Sequence, residues 1–112
     1  MSRLGAKTVR VYIAGPYTRG DVAVNVRTAM LAGMELMKAG YTVFIPHLTH
    51  YLHLLDPQPW EFWIQYDTGW VLSCDAVVRL PGDSLGADRE VAIARENNIP
   101  VYFGVQAFLS MY

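Results

Sequence analysis

Apolar residues recur with two different periods along this chain, and the switches between the periods mark its elements. Thr8-Val9-Arg10-Val11-Tyr12-Ile13-Ala14 is rich in β-branched residues and stops at Gly15-Pro16, which predicts a first strand and a loop. From about Val22 to Ala39, the residues Val26, Met30, Gly33 and Met37 recur every three or four positions, with Ala29 and Leu36 beside them. That pattern predicts an amphipathic helix, and Gly40 ends it. Tyr41 to Ile45, closed by Pro46, reads as a second buried strand. The stretch from His47 to Gln58 is irregular, and Pro57 and Pro59 predict a helix opening near Trp60, where proline fits the first turn. That helix runs to Ser73 with Trp63, Tyr66, Asp67, Trp70 and Val71 at helical spacing. Ala76 to Leu80 is a third strand, broken by Pro81-Gly82-Asp83, and a third helix covers about Ala87 to Glu96. Asn97-Asn98 makes the turn into a fourth strand, Pro100 to Phe103. Val105 to Tyr112 reads equally well as a short helix or an edge segment.

Alternating strands and helices with near-continuous apolar strands imply an α/β three-layer sandwich around a mostly parallel sheet of four to five strands. The strand order 2-1-3-4, flavodoxin-like or Rossmann-like, places a topological switch point between strands one and three. Their carboxyl-end loops, Ala14 to Asp21 and Pro81 to Asp88, then face one crevice, where ligands bind in such sheets.

At 112 residues the expectation is one domain, residues 1–112. Hydrophobic residues are 53% and charged residues 17%, with a net charge of −1. So little charged surface points to self-association, and the neutral balance gives no electrostatic basis for binding long nucleic acid or an anionic membrane. A lone cysteine, Cys74, excludes an internal disulfide and a multi-cysteine zinc site and fits a reducing compartment. No apolar run approaches the roughly 20 residues of a membrane span, and Met1 to Lys7 lacks the apolar core of a signal peptide. A cytoplasmic protein without a cofactor is expected.

The chemistry concentrates in Ser84-Leu85-Gly86-Ala87-Asp88-Arg89-Glu90. Glu90 sits just inside a helix that opens after a glycine turn, where free N–H groups and a partial positive charge favour an ionised carboxylate, a usable nucleophile. A solvated helix-capping glutamate is the plain alternative. Tyr12, near the end of the first strand, is placed to hydrogen-bond Glu90. Asp67 is a carboxylate on an aromatic helix and needs a partner: a backbone N–H, an arginine, or the edge of a ligand base stacked near Trp63 or Trp70. Asp75 reads as a turn or cap. Thr18, Arg19 and Ser84, with N–H groups near Gly20 and Gly86, offer an anion cradle. There is no dinucleotide fingerprint and no Walker A sequence. His47, His50 and His53, spaced by three, would fan over about 120° on a helix, so they read as loop or pocket-wall residues and not metal ligands.

Tyr12-Ile13-Ala14-Gly15, Asp67 eight residues before Asp75, and Ser84 to Glu90 together resemble the nucleoside 2-deoxyribosyltransferase-like superfamily, nearly end to end. That superfamily includes deoxyribosyltransferases and 2′-deoxynucleoside 5′-monophosphate N-hydrolases. By the resemblance, Glu90 matches the nucleophile that attacks the anomeric carbon, Tyr12 the tyrosine that orients it, and Asp67 the acid that protonates the base. Gly15, Thr18, Arg19, Gly20, Ser84, Gly86 and Trp63 fall in the substrate-binding set. Ser84 stands where transferases usually carry a sugar-binding aspartate and the hydrolases a phosphate-binding serine, so it departs toward a nucleotide. Thr18-Arg19-Gly20 matches the hydrolases' phosphate loop only in part. The resemblance further implies a homodimer or larger homo-oligomer with sites completed by a partner subunit, for which Ser110 and Tyr112 are candidates.

The implied reaction is cleavage of the N-glycosidic bond of a (deoxy)nucleoside or its 5′-monophosphate through a glycosyl ester on Glu90. Water or a second base then accepts the sugar. A nucleotide-binding or sensing module without catalysis is the competing class. A phosphoribohydrolase of the lysine-decarboxylase-like group would carry a Gly-Gly-x-Gly-Thr run, which Gly82-Asp83-Ser84-Leu85-Gly86 lacks.

Overall fold

The computed structural model describes residues 8–112, so the reading of Met1 to Lys7 lies outside the described residues. Four strands form one parallel sheet: β1 (Arg10–Ala14), β2 (Thr42–Phe44), β3 (Ala76–Arg79) and β4 (Val101–Phe103). Their order is β2-β1-β3-β4, as the patterning implied. Strand β1 pairs on both sides, and Val11, Tyr12, Ile13 and Ala14 are all fully buried. A strand covered on both faces has no solvent side to fill with polar residues, which is why its apolar run is continuous.

Alternation along β1 divides the core in two. Val11 and Ile13 face helices α1 (Val22–Lys38) and α5 (Val105–Met111), packing with Ala29, Leu36 and Phe108. Tyr12 and Ala14 face the opposite layer, with Val71 of α3 (Trp60–Ser73) and Ala87 and Ala94 of α4 (Leu85–Glu96). The C-terminal segment left open by its pattern is therefore a helix. Phe108 anchors it, edge-on to Tyr41 and Tyr102 and stacked on Tyr112.

One helix, α2 (Thr49–Leu55), lies inside the stretch read as irregular, after a single 3-10 turn at Pro46–Leu48. It buries none of its residues and has no side-chain cap, so it leaves no apolar stripe for a periodicity argument to find. Asp21 caps α1 by accepting from Val24 N at 3.1 Å, and Ser84 caps α4 by accepting from Ala87 N at 3.0 Å. Asn98, at φ 59°, ends α4 in the left-handed conformation that asparagine tolerates. Asp75 accepts from Arg10 N at 2.9 Å and so fastens the start of β3 to β1. Among the described residues no helix is long and apolar enough to cross a membrane.

Gly33 of α1 packs close against Ile45, just past the end of β2: a Cβ there would lie 2.3 Å from Ile45 Cδ1 and 2.8 Å from its Cγ1. Overpacking of a filled core costs about 1–3 kcal/mol. Gly33→Val should therefore lower the melting temperature by several degrees. In a double-mutant cycle Ile45→Ala should recover part of that loss, and a purely additive pair would show that the close approach does not limit packing.

Candidate active site

Parallel pairing of β1 with β3, with Ala14 opposite Arg79, brings the two predicted loops together at the carboxyl ends of these strands. Between the loops and helices α2 and α3 lies a cavity of about 720 Å³. Gly15, Thr18, Arg19, Trp63, Asp67, Ser84, Gly86 and Glu90 all line it. Tyr12 lies beneath, and its hydroxyl donates to Glu90 Oε2 at 2.6 Å. Two of the expected placements fail. Gly20 is absent from the lining: at φ +83° it turns the loop outward before α1, and a Cβ there would meet nothing within 4 Å. Trp70 is stacked on Phe44 at 4.4 Å, about 10 Å further along the helix axis from Trp63 by the helical rise, beyond the cavity's end.

The two loops are held by side-chain hydrogen bonds, from the half-buried Asn25 and the buried His47 and Arg79. Asn25 of α1 donates to Tyr17 O at 2.9 Å and to Arg19 O at 2.7 Å. His47 Nε2 lies 3.2 Å from Gly15 O and 2.9 Å from Pro16 O; carbonyls only accept, so Nε2 carries the proton. On the β3 side, the buried Arg79 guanidinium donates to Leu80 O, to Gly82 O at 3.0 Å and to Asp88 Oδ1 at 2.9 Å. It staples the Pro81–Ser84 turn to the first turn of α4. Neither Arg79 nor Arg89, which also lines the cavity, was singled out from the sequence. The available signal for Arg79 was a lone charge inside an apolar strand.

The three histidines take separate partners. His50 Nδ1 and the Tyr17 hydroxyl share a hydrogen bond of 2.6 Å, and His53 Nδ1 accepts from Trp63 Nε1 at 2.9 Å and Gln58 N at 3.2 Å. All three line the cavity. Ser110 Oγ donates to Ala107 O, and Tyr112 packs on Tyr41, Tyr102 and Phe108 of its own chain, on the opposite layer of the sandwich from α3 and α4.

The electrostatics reverse one expectation. Glu90 lies six residues beyond the Ser84 cap, past the free N–H groups of the helix start. Burial pushes its carboxyl up to about 8, and the neighbouring Asp67 adds to this, against the lowering by the Tyr12 hydrogen bond and Arg79. Glu90 is thus mainly protonated at neutral pH, not held ionised by the helix. Burial likewise raises Asp67 to about 7, and its Oδ1 is buried without a hydrogen-bond partner. Tyr12 is raised well above the usual tyrosine range by burial and by Glu90, so it remains a donor. Burial also lowers His47. Two carboxyl groups whose surroundings disfavour charge, in one cavity, are an arrangement suited to acid–base and nucleophilic chemistry.

A doubly wound parallel sheet with its site at the switch point defines the class. The chain belongs to the family described as a domain of unknown function, DUF7768, which matches residues 9–104. Its fold is that of a solved 2-deoxyribosyltransferase from the psychrotolerant bacterium Bacillus psychrosaccharolyticus, with TM-score 0.62 and 20% identity over 85% of this chain and 71% of that one. A Trypanosoma brucei CTPS glutaminase domain with bound acivicin is also similar, at TM-score 0.43 and 17% identity over 86% of this chain and 36% of that one. No curated protein matches the sequence.

A raised carboxyl binds protons in the folded chain that the unfolded chain releases, so stability falls as pH rises between about 4.5 and about 8. Glu90→Gln keeps an acceptor for Tyr12 and removes the titration. Its melting temperature should exceed that of the parent by roughly 5 °C or more at pH 8.5 and match it near pH 4, as followed by thermal unfolding. A variant equally or less stable at pH 8.5 would show that Glu90 is not held neutral by burial.

Proposed function

We propose that this protein cleaves the N-glycosidic bond of a (deoxy)nucleoside 5′-monophosphate or (deoxy)nucleoside through a covalent glycosyl ester on Glu90. The observation that carries the reading is the Tyr12 hydroxyl donating at 2.6 Å to a carboxyl at the cavity floor, with the unpartnered Asp67 carboxyl in the same wall. Glu90 attacks C1′ as the C–N bond breaks, and Asp67 gives its proton to a ring nitrogen of the departing base. Water or an incoming base then displaces Glu90, and the Asp67 carboxylate takes the proton released. Tyr12 fixes one carboxylate oxygen so that the other faces the sugar. The shared fold of a 2-deoxyribosyltransferase supports the same reading.

The pair must hold a single proton, on Asp67, for the first step. In the free protein burial raises both carboxyls, so burial alone does not set that arrangement. A bound substrate sets it: positive charge developing at C1′ favours the Glu90 anion, and a base nitrogen accepting from Asp67 favours its neutral form. Thr18, Arg19, Ser84 and Arg89 also line the cavity and supply hydroxyls and two guanidinium groups for a 5′-phosphate. Exposed Leu31, Met34, Leu52 and Leu55 support self-association into a homo-oligomer.

Incubation with deoxynucleosides and their 5′-monophosphates, with and without a second free base, should release free base from the monophosphates, followed by chromatography. Exchange only in the presence of acceptor would make the protein a transferase. Glu90→Ala should abolish cleavage, and Asp67→Asn should lower it by about 10²- to 10⁴-fold. If nucleotides bind and none is cut, the protein is a binding module.

The pH profile of kcat/KM should be bell-shaped, with limbs near 7 and 8 that belong to the coupled pair. Tyr12→Phe removes the bond that lowers Glu90, so the descending limb should move to higher pH while the maximum falls. A profile flat from pH 6 to 9 would exclude this proton inventory.

A further inference from the structure

His53 stands apart from the machinery above. Its Nδ1 accepts from two groups that can only donate, the Trp63 indole N–H at 2.9 Å and the Gln58 backbone N–H at 3.2 Å. Nδ1 is thereby committed as an acceptor, and the ring proton sits on Nε2. The imidazole lines the cavity, edge-on to Trp63 at 5.9 Å between ring centroids. Asp67 lies one helical turn beyond Trp63, on the same face of α3, and lines the same cavity. His53 therefore adds an N–H donor of fixed tautomer to a cavity that Asp67 also lines.

We propose that His53 is a specificity-determining residue that reads the leaving base: its fixed Nε2–H, acting together with the Asp67 carboxyl, selects a base edge presenting two adjacent acceptors, as a 6-oxopurine does. This inference rests on the proposed cleavage reaction. A 6-oxopurine offers N7 and O6 side by side, one for each donor. A 6-aminopurine keeps N7 but turns an amino group toward His53, so that donor meets donor. His53 cannot answer by moving its proton, because Trp63 and Gln58 occupy the other nitrogen. Discrimination thus comes from the repelled partner as much as from the accepted one. Tyr17 and His50 do not share this property, since the hydroxyl in their pair both donates and accepts.

The test uses matched 2′-deoxynucleoside 5′-monophosphates of hypoxanthine and adenine, which differ at position 6. Binding to the full chain carrying Glu90→Gln, measured by calorimetry, reads recognition without turnover. The oxo form should bind roughly 10- to 100-fold tighter. Adding His53→Gln, whose amide can present either a donor or an acceptor, should bring the ratio to within about threefold. Equal affinity with His53 in place, an unchanged ratio in His53→Gln, or no binding of either ligand would overturn the proposal. Nitrogen-15 NMR of the histidine rings in the unsubstituted protein gives a second reading that needs no variant to fold. His53 should show a protonated Nε2 and a bare Nδ1, with Nε2 perturbed by the hypoxanthine nucleotide and not by the adenine one; the opposite tautomer would refute the argument. Cleavage of both nucleotides in a wild-type assay with no oxo preference would sink this inference and leave the cleavage reading standing. Selective binding without cleavage would do the reverse.

Discussion

The hydrogen bond from Tyr12 to Glu90 joins the most protected strand of the sheet to the site it serves. Tyr12 is fully buried in the middle of β1, and its ring packs in the layer formed by α3 and α4, with Phe44 stacked at 5.7 Å. A hydroxyl in that position needs a partner, and Glu90 supplies it at 2.6 Å. The bond thus satisfies a core tyrosine and aims a carboxyl at the cavity in one geometry. Placing a carboxyl there disfavours its charge, which raises Glu90 and, by the same desolvation, Asp67. The raised carboxyls of the site and their destabilising effect on the fold at high pH have one origin.

Around that pair, the loops are kept in place by groups that do not meet a ligand's reacting atoms. Arg79 gathers two carbonyls and Asp88, His47 spans Gly15 and Pro16, and Asn25 holds Tyr17 and Arg19. Each ties a loop back to a strand end or helix, so the cavity walls are preformed from rigid neighbours. Such devices explain how loops with little apolar content hold one shape.

The sheet, its order and three of the helices were legible because burial on one or both faces writes a period into the sequence. The pairing of Tyr12 with Glu90 was legible too, since parallel neighbours β1 and β3 force their carboxyl-end loops together. Helix α2 was not, because a helix that buries no side chain has no stripe. The ionisation of Glu90 was misjudged for a related reason: distance from a helix start can be counted along a chain, whereas desolvation depends on what packs around the residue. Trp70 has nearly the helical phase of Trp63, and only the cavity's length, a tertiary quantity, removes it from the site. Arg79 carried a sequence signal that strand composition masked.

Helix α2 brings His50 and His53 to the cavity without contributing to either half of the core. Its histidine rings tie it to the body through the hydrogen bond that His50 shares with Tyr17 and those that His53 accepts from Trp63 and Gln58. Native structures open first where few apolar contacts resist. This wall of the cavity therefore has a lower opening free energy than the sheet beneath it, so the cavity is bounded by a rigid sheet on one side and by its least anchored helix on the other.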